Sequence, residues 1–168
     1  MANTYTLISS VAVGSGGAAN IEFTSIPATY TDLLIVLSGR TSSAAVNSDL
    51  TIKPNGSATN GTYRYLQGSG SAATSGSGSI VYGGNGVTAA NATASTFGNI
   101  QIYIPNYTSS NNKSLSIDGV SENNATSAFA TLVASLWSNS AAITSVQLVP
   151  DANFVQYSTA YLYGISNA

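Results

Sequence analysis

The chain has no histidine and no cysteine in its 168 residues, and only 6% of them are charged. Without imidazole there is no Ser-His or Cys-His nucleophilic pair, no His-ligated zinc and no imidazole acid–base catalyst. Without thiols, disulfides, thiolate chemistry and Cys-ligated metals go as well. The four cations, Arg40, Lys53, Arg64 and Lys113, are widely scattered. A nucleic-acid surface needs clustered cations to displace counterions from phosphates, so no nucleic-acid partner is expected. No apolar run approaches the ~20 residues of a membrane-spanning helix, so no membrane association is expected either. Residues 1–13 show neither a basic n-region nor a continuous apolar h-region, and no secretory signal is read there.

An ordinary soluble domain is about 25% charged. Here solubility must come from Ser, Thr, Asn and Gly instead. Disorder is rejected because hydrophobic content is 43% and ten tyrosines are spread along the chain, which suits a packed β fold. Residues 1–168 read as a single domain, large enough to bury roughly 70% of its unfolded surface.

The stretch Asn20–Arg40 organises the rest. Ile21 and Phe23 alternate with polar residues as a half-buried strand does, and Ile26-Pro27 stops the ladder because proline has no N–H to donate. Leu33 to Leu37 is the densest apolar run, a pattern for a central strand covered on both faces. Before it, residues 4–13 read as a strand that forms a hairpin with residues 21–23 across a glycine-rich loop. After it come strands at 49–53, 62–67, 99–104, 113–121, 143–149 and 159–165, separated by turns such as Pro54-Asn55-Gly56 and Pro105-Asn106. Residues 129–137 satisfy both helical and strand spacing, and the β context favours a strand, with Ala130, Leu132, Ala134 and Leu136 on one face. The sum is an all-β, antiparallel two-sheet sandwich of about ten strands, jelly-roll-like.

Residues 68–96 stand apart. Gly, Ser, Ala, Thr and Asn dominate, broken only by Ile80, Val81, Tyr82 and Val87. Such a composition cannot cover a core by itself, so a long surface excursion is expected, serving as a contact arm.

Little in the chain suggests chemistry. Of the six carboxylates only Asp118 and Glu122 are close in sequence, and on one strand they would stand about 13 Å apart. A glycosidase pair needs about 5–9.5 Å, so an enzyme acting on polysaccharide through these two is the weakest of three hypotheses. Asp118, Glu122 and Asn123 are the best local set for a structural calcium, but no spaced loop motif supports it. Gly14-x-Gly16-x-x-Ala19 mimics a dinucleotide fingerprint without the helix that would hold a pyrophosphate. No catalytic residue, metal or cofactor is assigned. Six Asn-x-Ser/Thr triplets, at Asn55, Asn60, Asn91, Asn106, Asn112 and Asn124, are what this composition gives by chance.

Tyrosines are the remaining signal. Tyr63 with Tyr65, and Tyr161 with Tyr163, pair phenols on strand faces, and such platforms serve sugars or proteins. The candidate partner-binding surface is Tyr63, Tyr65, Tyr82 and Asn85, although strand packing explains any one tyrosine as well.

The Phe-Thr-Ser-Ile-Pro-Ala-Thr-Tyr-Thr-Asp-Leu run at 23–33, the Asn55-Gly56 turn and the closing Leu162-Tyr163-Gly164-Ile165 resemble a group of small tailed-bacteriophage virion proteins. The resemblance implies a jelly-roll protein on the particle surface, made in the host cytoplasm. Its motifs are structural and carry no reaction. The expectation is a non-enzymatic head decoration or cement protein, a homotrimer clamping subunits of the major capsid protein. The alternative is a tail- or fibre-associated module that binds a host glycan.

Overall fold

The computed structural model describes residues 4–125 and 127–166. Within them the fold is all-β, with thirteen strands and no helix. Every strand pairing is antiparallel, and an eight-stranded sheet packs against a three-stranded one. The excess over ten comes from pieces of two to six residues that a sequence period cannot resolve.

In chain order the strands are β1 (Tyr5–Ala12), β2 (Ile21–Phe23), β3 (Asp32–Gly39), β4 (Asn47–Ser48), β5 (Leu50–Pro54), β6 (Gly61–Gly68) and β7 (Ala73–Gly78). Then follow β8 (Val87–Thr88), β9 (Gly98–Ile104), β10 (Lys113–Val120), β11 (Ala130–Trp137), β12 (Val146–Pro150) and β13 (Thr159–Ile165). The large sheet runs β1-β13-β3-β9-β10-β11-β6-β7, the small one β2-β12-β5, and β4 pairs β8. Successive segments keep changing layer, so β1 and β2 do not form the expected hairpin. β1 pairs with β13 in one sheet and β2 with β12 in the other.

β3 lies between β13 and β9, as its apolar run requires. Leu33, Ile35 and Leu37 are fully buried with Ile100, Ile102 and Ile104 of β9 and Leu115 and Ile117 of β10. Ile21, Phe23, Leu50, Ile52, Val146 and Leu148 face them from the small sheet. Ile26-Pro27 forms the corner, where the Tyr107 hydroxyl donates to the Pro27 carbonyl. Asp32 opens β3 and accepts from the Asn106 N–H (2.8 Å) and the Tyr103 hydroxyl (2.9 Å), fixing the Pro105-Asn106 turn.

The excursion at 68–96 divides in two. Its first part is the outer strand of a β6–β7 hairpin and is largely exposed. Its second part is interior: all nine residues from Val81 to Ala89 are buried, against the expectation of a surface arm. This strap bonds to β5 through Ile52 N–H to Val81 O (3.0 Å), Gly83 N–H to Leu50 O (2.7 Å) and Leu50 N–H to Gly84 O (2.8 Å). It thereby extends the small sheet over the part of the large one that three strands leave uncovered. Glycines make the fit. A Cβ on Gly98 would lie 1.9 Å from the Gly86 carbonyl oxygen, one on Gly86 2.9 Å from the Gly119 Cα, and one on Gly61 2.3 Å from the Val81 nitrogen. Backbone fills the space that side chains fill elsewhere.

Candidate interaction surfaces

Most of the rare charged groups hold the chain together. The Arg40 guanidinium donates to the carbonyls of Thr93 (2.9 Å), Thr96 (3.0 Å), Ala92 (3.1 Å) and Ala90 (3.3 Å), which clamps the loop after the strap to the end of β3. Lys113 is 1% exposed and donates to the carbonyls of Ser109 (2.6 Å), Asn111 (2.8 Å) and Ala141 (2.8 Å). Burial pushes its pKa down. The ammonium ties the β9–β10 turn to the loop after β11, where it also lies 6.0 Å from the Trp137 ring centroid. Asp151 accepts from the Asp49 N–H (2.9 Å), and Glu22 accepts from the Gln147 amide (3.0 Å).

Asp118 and Glu122, the carboxylates weighed for catalysis, do not share a task. Asp118 faces outward from β10, while Glu122 accepts from the N–H groups of Asn123 (3.0 Å) and Asn124 (2.7 Å) in the turn that follows. The Asn123 amide donates to the carbonyls of Ser121 and Ser127. Among the described residues no three acidic side chains gather as metal ligands would. Of the sequon residues, Asn55 ties its turn to the 142–145 loop, accepting from the Thr144 N–H (2.9 Å) and donating to the Ala142 carbonyl (2.9 Å), and the Asn124 triplet ends at residue 126, outside the described residues.

The four residues proposed as a partner surface do come together, but facing inward. Tyr63 and Tyr65 of β6 point toward the core with the Tyr82 ring, at centroid distances of 4.5 Å for Tyr63–Tyr82 and 6.3 Å for Tyr65–Tyr82. Each β6 tyrosine lies over a cross-strand glycine of β7, Tyr63 over Gly78 and Tyr65 over Gly76. Such pairs cover glycine backbone and pin strand register. Tyr82 and Asn85 are each only 8% exposed, so the expected contact surface does not include them.

Their polar atoms are taken by the chain itself. The Tyr82 hydroxyl donates to Asp49 (2.7 Å), and the Ser135 hydroxyl both accepts from the Tyr82 N–H and donates to its carbonyl. The Asn85 amide donates to Gln67 (2.7 Å) and accepts from the Thr131 hydroxyl (2.7 Å). Burial first, then the bond to Asp49, pushes the Tyr82 pKa far above the usual phenol range. These groups staple the strap to β6 and β11.

That stapling inverts β11. Its inner face presents Thr131, Val133, Ser135 and Trp137, and its outer face presents Ala130, Leu132, Ala134 and Leu136. The apolar set recognised in the sequence is therefore the one that faces solvent. Leu132 is 60% exposed, and Leu66, opposite it on β6, is 54% exposed. Shallow grooves of about 240 Å³ and about 420 Å³ flank this Leu66–Leu132 ridge, floored by Gly68, Ala130, Ser116 and Ala134. Further along the same face Leu34 and Val36 of β3 lie among Tyr103, Tyr161 and Tyr163. The continuous run of β3 is thus covered by protein on one side and partly screened by tyrosines on the other.

No family model matches the chain. Neither a curated protein nor a solved structure matches it.

Proposed function

We propose that this chain is a non-enzymatic structural protein of a tailed-phage virion, a head decoration protein that clamps neighbouring subunits of the major capsid protein. The observation that supports this best is the free edge of β7. This strand ends the large sheet, runs Ala-Thr-Ser-Gly-Ser-Gly, and has no charge, proline or bulge. Soluble proteins usually block such an edge, because its main-chain N–H and C=O groups are a template for another strand. A clamp adds its edge to a neighbour's sheet by main-chain hydrogen bonds, and needs few ions to do so. The contact arm read from 68–96 becomes the β6–β7 hairpin alone, since the strap is core.

Labelling the chain in intact particles and imaging them tests the role. Label over the head shell is the expected result, and particles without label overturn it. Thr74→Lys, which puts a charge on the exposed β7 edge, is expected to lower occupancy on the head while leaving the fold intact. The glycan-binding tail module is the second reading, favoured by the exposed phenols of Tyr5, Tyr103 and Tyr161 on the outer face of the large sheet. Glycan-array binding that is lost in Tyr161→Ala would support it.

A further inference from the structure

We infer that the outer face of the eight-stranded sheet is the surface on which two copies of this chain pair, face to face about a two-fold axis. The inference uses a different surface from the β7 edge and does not rest on the virion reading.

Three observations carry it. The first is patterning. An antiparallel sheet with one face in water alternates apolar-in and polar-out, as β9 does with Ile100, Ile102 and Ile104 inward and Asn99 and Gln101 outward. β3 and β11 break this rule on the same face: Leu34, Val36, Ala130, Leu132 and Ala134 all point out. Leu66 of β6 and Val120 of β10 extend the break.

The second is charge. The middle of this face carries two ions of opposite sign, Arg64 on β6 and Asp118 on β10, with β11 between them. Arg64 only folds back on the Tyr63 carbonyl (2.8 Å), and the Asp118 carboxylate has no partner among the described residues. Leu132 is in register with both Leu66 and Asp118, and Ala134 with both Arg64 and Ser116. A two-fold axis along β11 lays β6 of each copy over β10 of the other. Each Arg64 then faces the second copy's Asp118, offset by one side-chain repeat of about 7 Å, which an arginine spans. Leu132 meets its own copy near the axis. A uniformly acidic or basic partner would match one of these charges and oppose the other, whereas a second copy matches both.

The third is size. The axis lays five strands over one another, β9, β10, β11, β6 and β7, which at about 4.8 Å spacing and about 20 Å along each strand present on the order of 500 Å². A standard interface takes about 800 Å² from each partner, so this face suits a weak, concentration-dependent pair, with Leu34 and Val36 of β3 at its rim. One self-complementary face closes a pair, not the three-fold ring expected from the sequence.

Sedimentation equilibrium of the purified full chain decides the matter. A mass of twice the 17.0 kDa chain is expected, and a monomer or trimer at all concentrations overturns the inference. Leu132→Lys is expected to give a monomer whose strand signal and unfolding midpoint match those of the parent at low concentration. Arg64→Asp and Asp118→Arg should each weaken pairing by about tenfold or more, because each sets like charges opposite one another. The double exchange R64D/D118R should restore pairing to within a few-fold. Failure of the double exchange to recover would sink the two-fold arrangement even if a dimer forms. Pairing in solution with no label on particles would remove the virion role and leave this inference standing.

Discussion

The two halves of the 68–96 segment are both dominated by small residues and have opposite fates. β7 and its turn lie at the rim of the sheet, while the strap from Val81 to Ala89 passes through the interior. Hydrophobicity separates them in part, since Val81, Tyr82 and Val87 fall in the strap and β7 has no large apolar residue. What their glycines touch separates them further. A Cβ on Gly68 or Gly70 would meet nothing within 4 Å, but the strap lies against Gly61, Gly98 and Gly119 so closely that backbone meets backbone. Burial here removes peptide groups from water, and it is tolerable because those groups are bonded to β5 and to the 43–48 loop. A segment poor in side chains can therefore be core, provided its partners are poor in them too.

Substitutions that fill that space give the largest effect and would break the comparison if they did not. Gly98→Ala and Gly61→Ala each drive a Cβ into backbone atoms that cannot rotate away, and each is expected to cost about 3 kcal/mol or more. Gly68→Ala, within the same low-complexity segment, should change stability by about 0.5 kcal/mol at most. Denaturant unfolding of the three variants reads the contrast directly. Next in size is Asn85→Ala, which leaves Gln67 and the buried Thr131 hydroxyl without their partner, at about 1–3 kcal/mol. Arg40→Met follows at about 1–2 kcal/mol, since its carbonyl partners lie nearer water and can bond there instead. It should also raise hydrogen-exchange rates at 90–96 while leaving those of β7 unchanged, a sharper sign that the clamp holds the loop after the strap and not the β6–β7 hairpin.

The architecture was legible wherever side chains alternate. Ile100, Ile102 and Ile104, Leu115 and Ile117, and the Ile26-Pro27 corner all lie where their period and punctuation indicate. The strap was not legible, because periodicity methods register side chains, and this segment packs by their absence. Its only sequence trace is the company of Tyr82, Asn85 and Val87 among glycines. The facing of β11 was hidden for a related reason. Both of its faces alternate, and the inward one was decided by hydrogen bonds from Thr131 and Ser135 to a strap distant in sequence. Tyr63 and Tyr65 were recognised as a pair on one strand face, but a two-residue period cannot tell which face is inside. That is why the candidate surface became core staples, and why the exposed apolar face emerged only with the fold.

The smallest predicted effect concerns the bond by which the strap reaches Asp49. Partial burial raises the Asp49 pKa above the usual carboxylate value of 3.8, the Tyr82 hydroxyl works against that shift, and Asp151 adds to it. A carboxyl whose folded pKa is raised binds its proton more tightly in the folded chain than in the unfolded one. Its contribution to stability is therefore fully present below pH 3.8 and is lost as pH rises through the folded value. Asp49→Asn keeps an acceptor for the Tyr82 hydroxyl and removes the ionisation. The stability of this variant relative to the parent should consequently rise between about pH 3 and pH 7, and then stay level. At alkaline pH the same staple acts through Tyr82, whose raised pKa makes the fold lose stability as pH climbs past the ordinary phenol value of 10.0. Tyr82→Phe should remove the Tyr82 share of that loss, leaving the shares of Tyr103 and Tyr107, whose pKa values are also raised, and leaving the acid limb from other carboxylates unchanged. Parallel melts of parent, Asp49→Asn and Tyr82→Phe across pH separate the two limbs. A relative stability of Asp49→Asn that falls with pH would mean that the phenol bond outweighs burial, and that the strap is held by charge instead of by close packing.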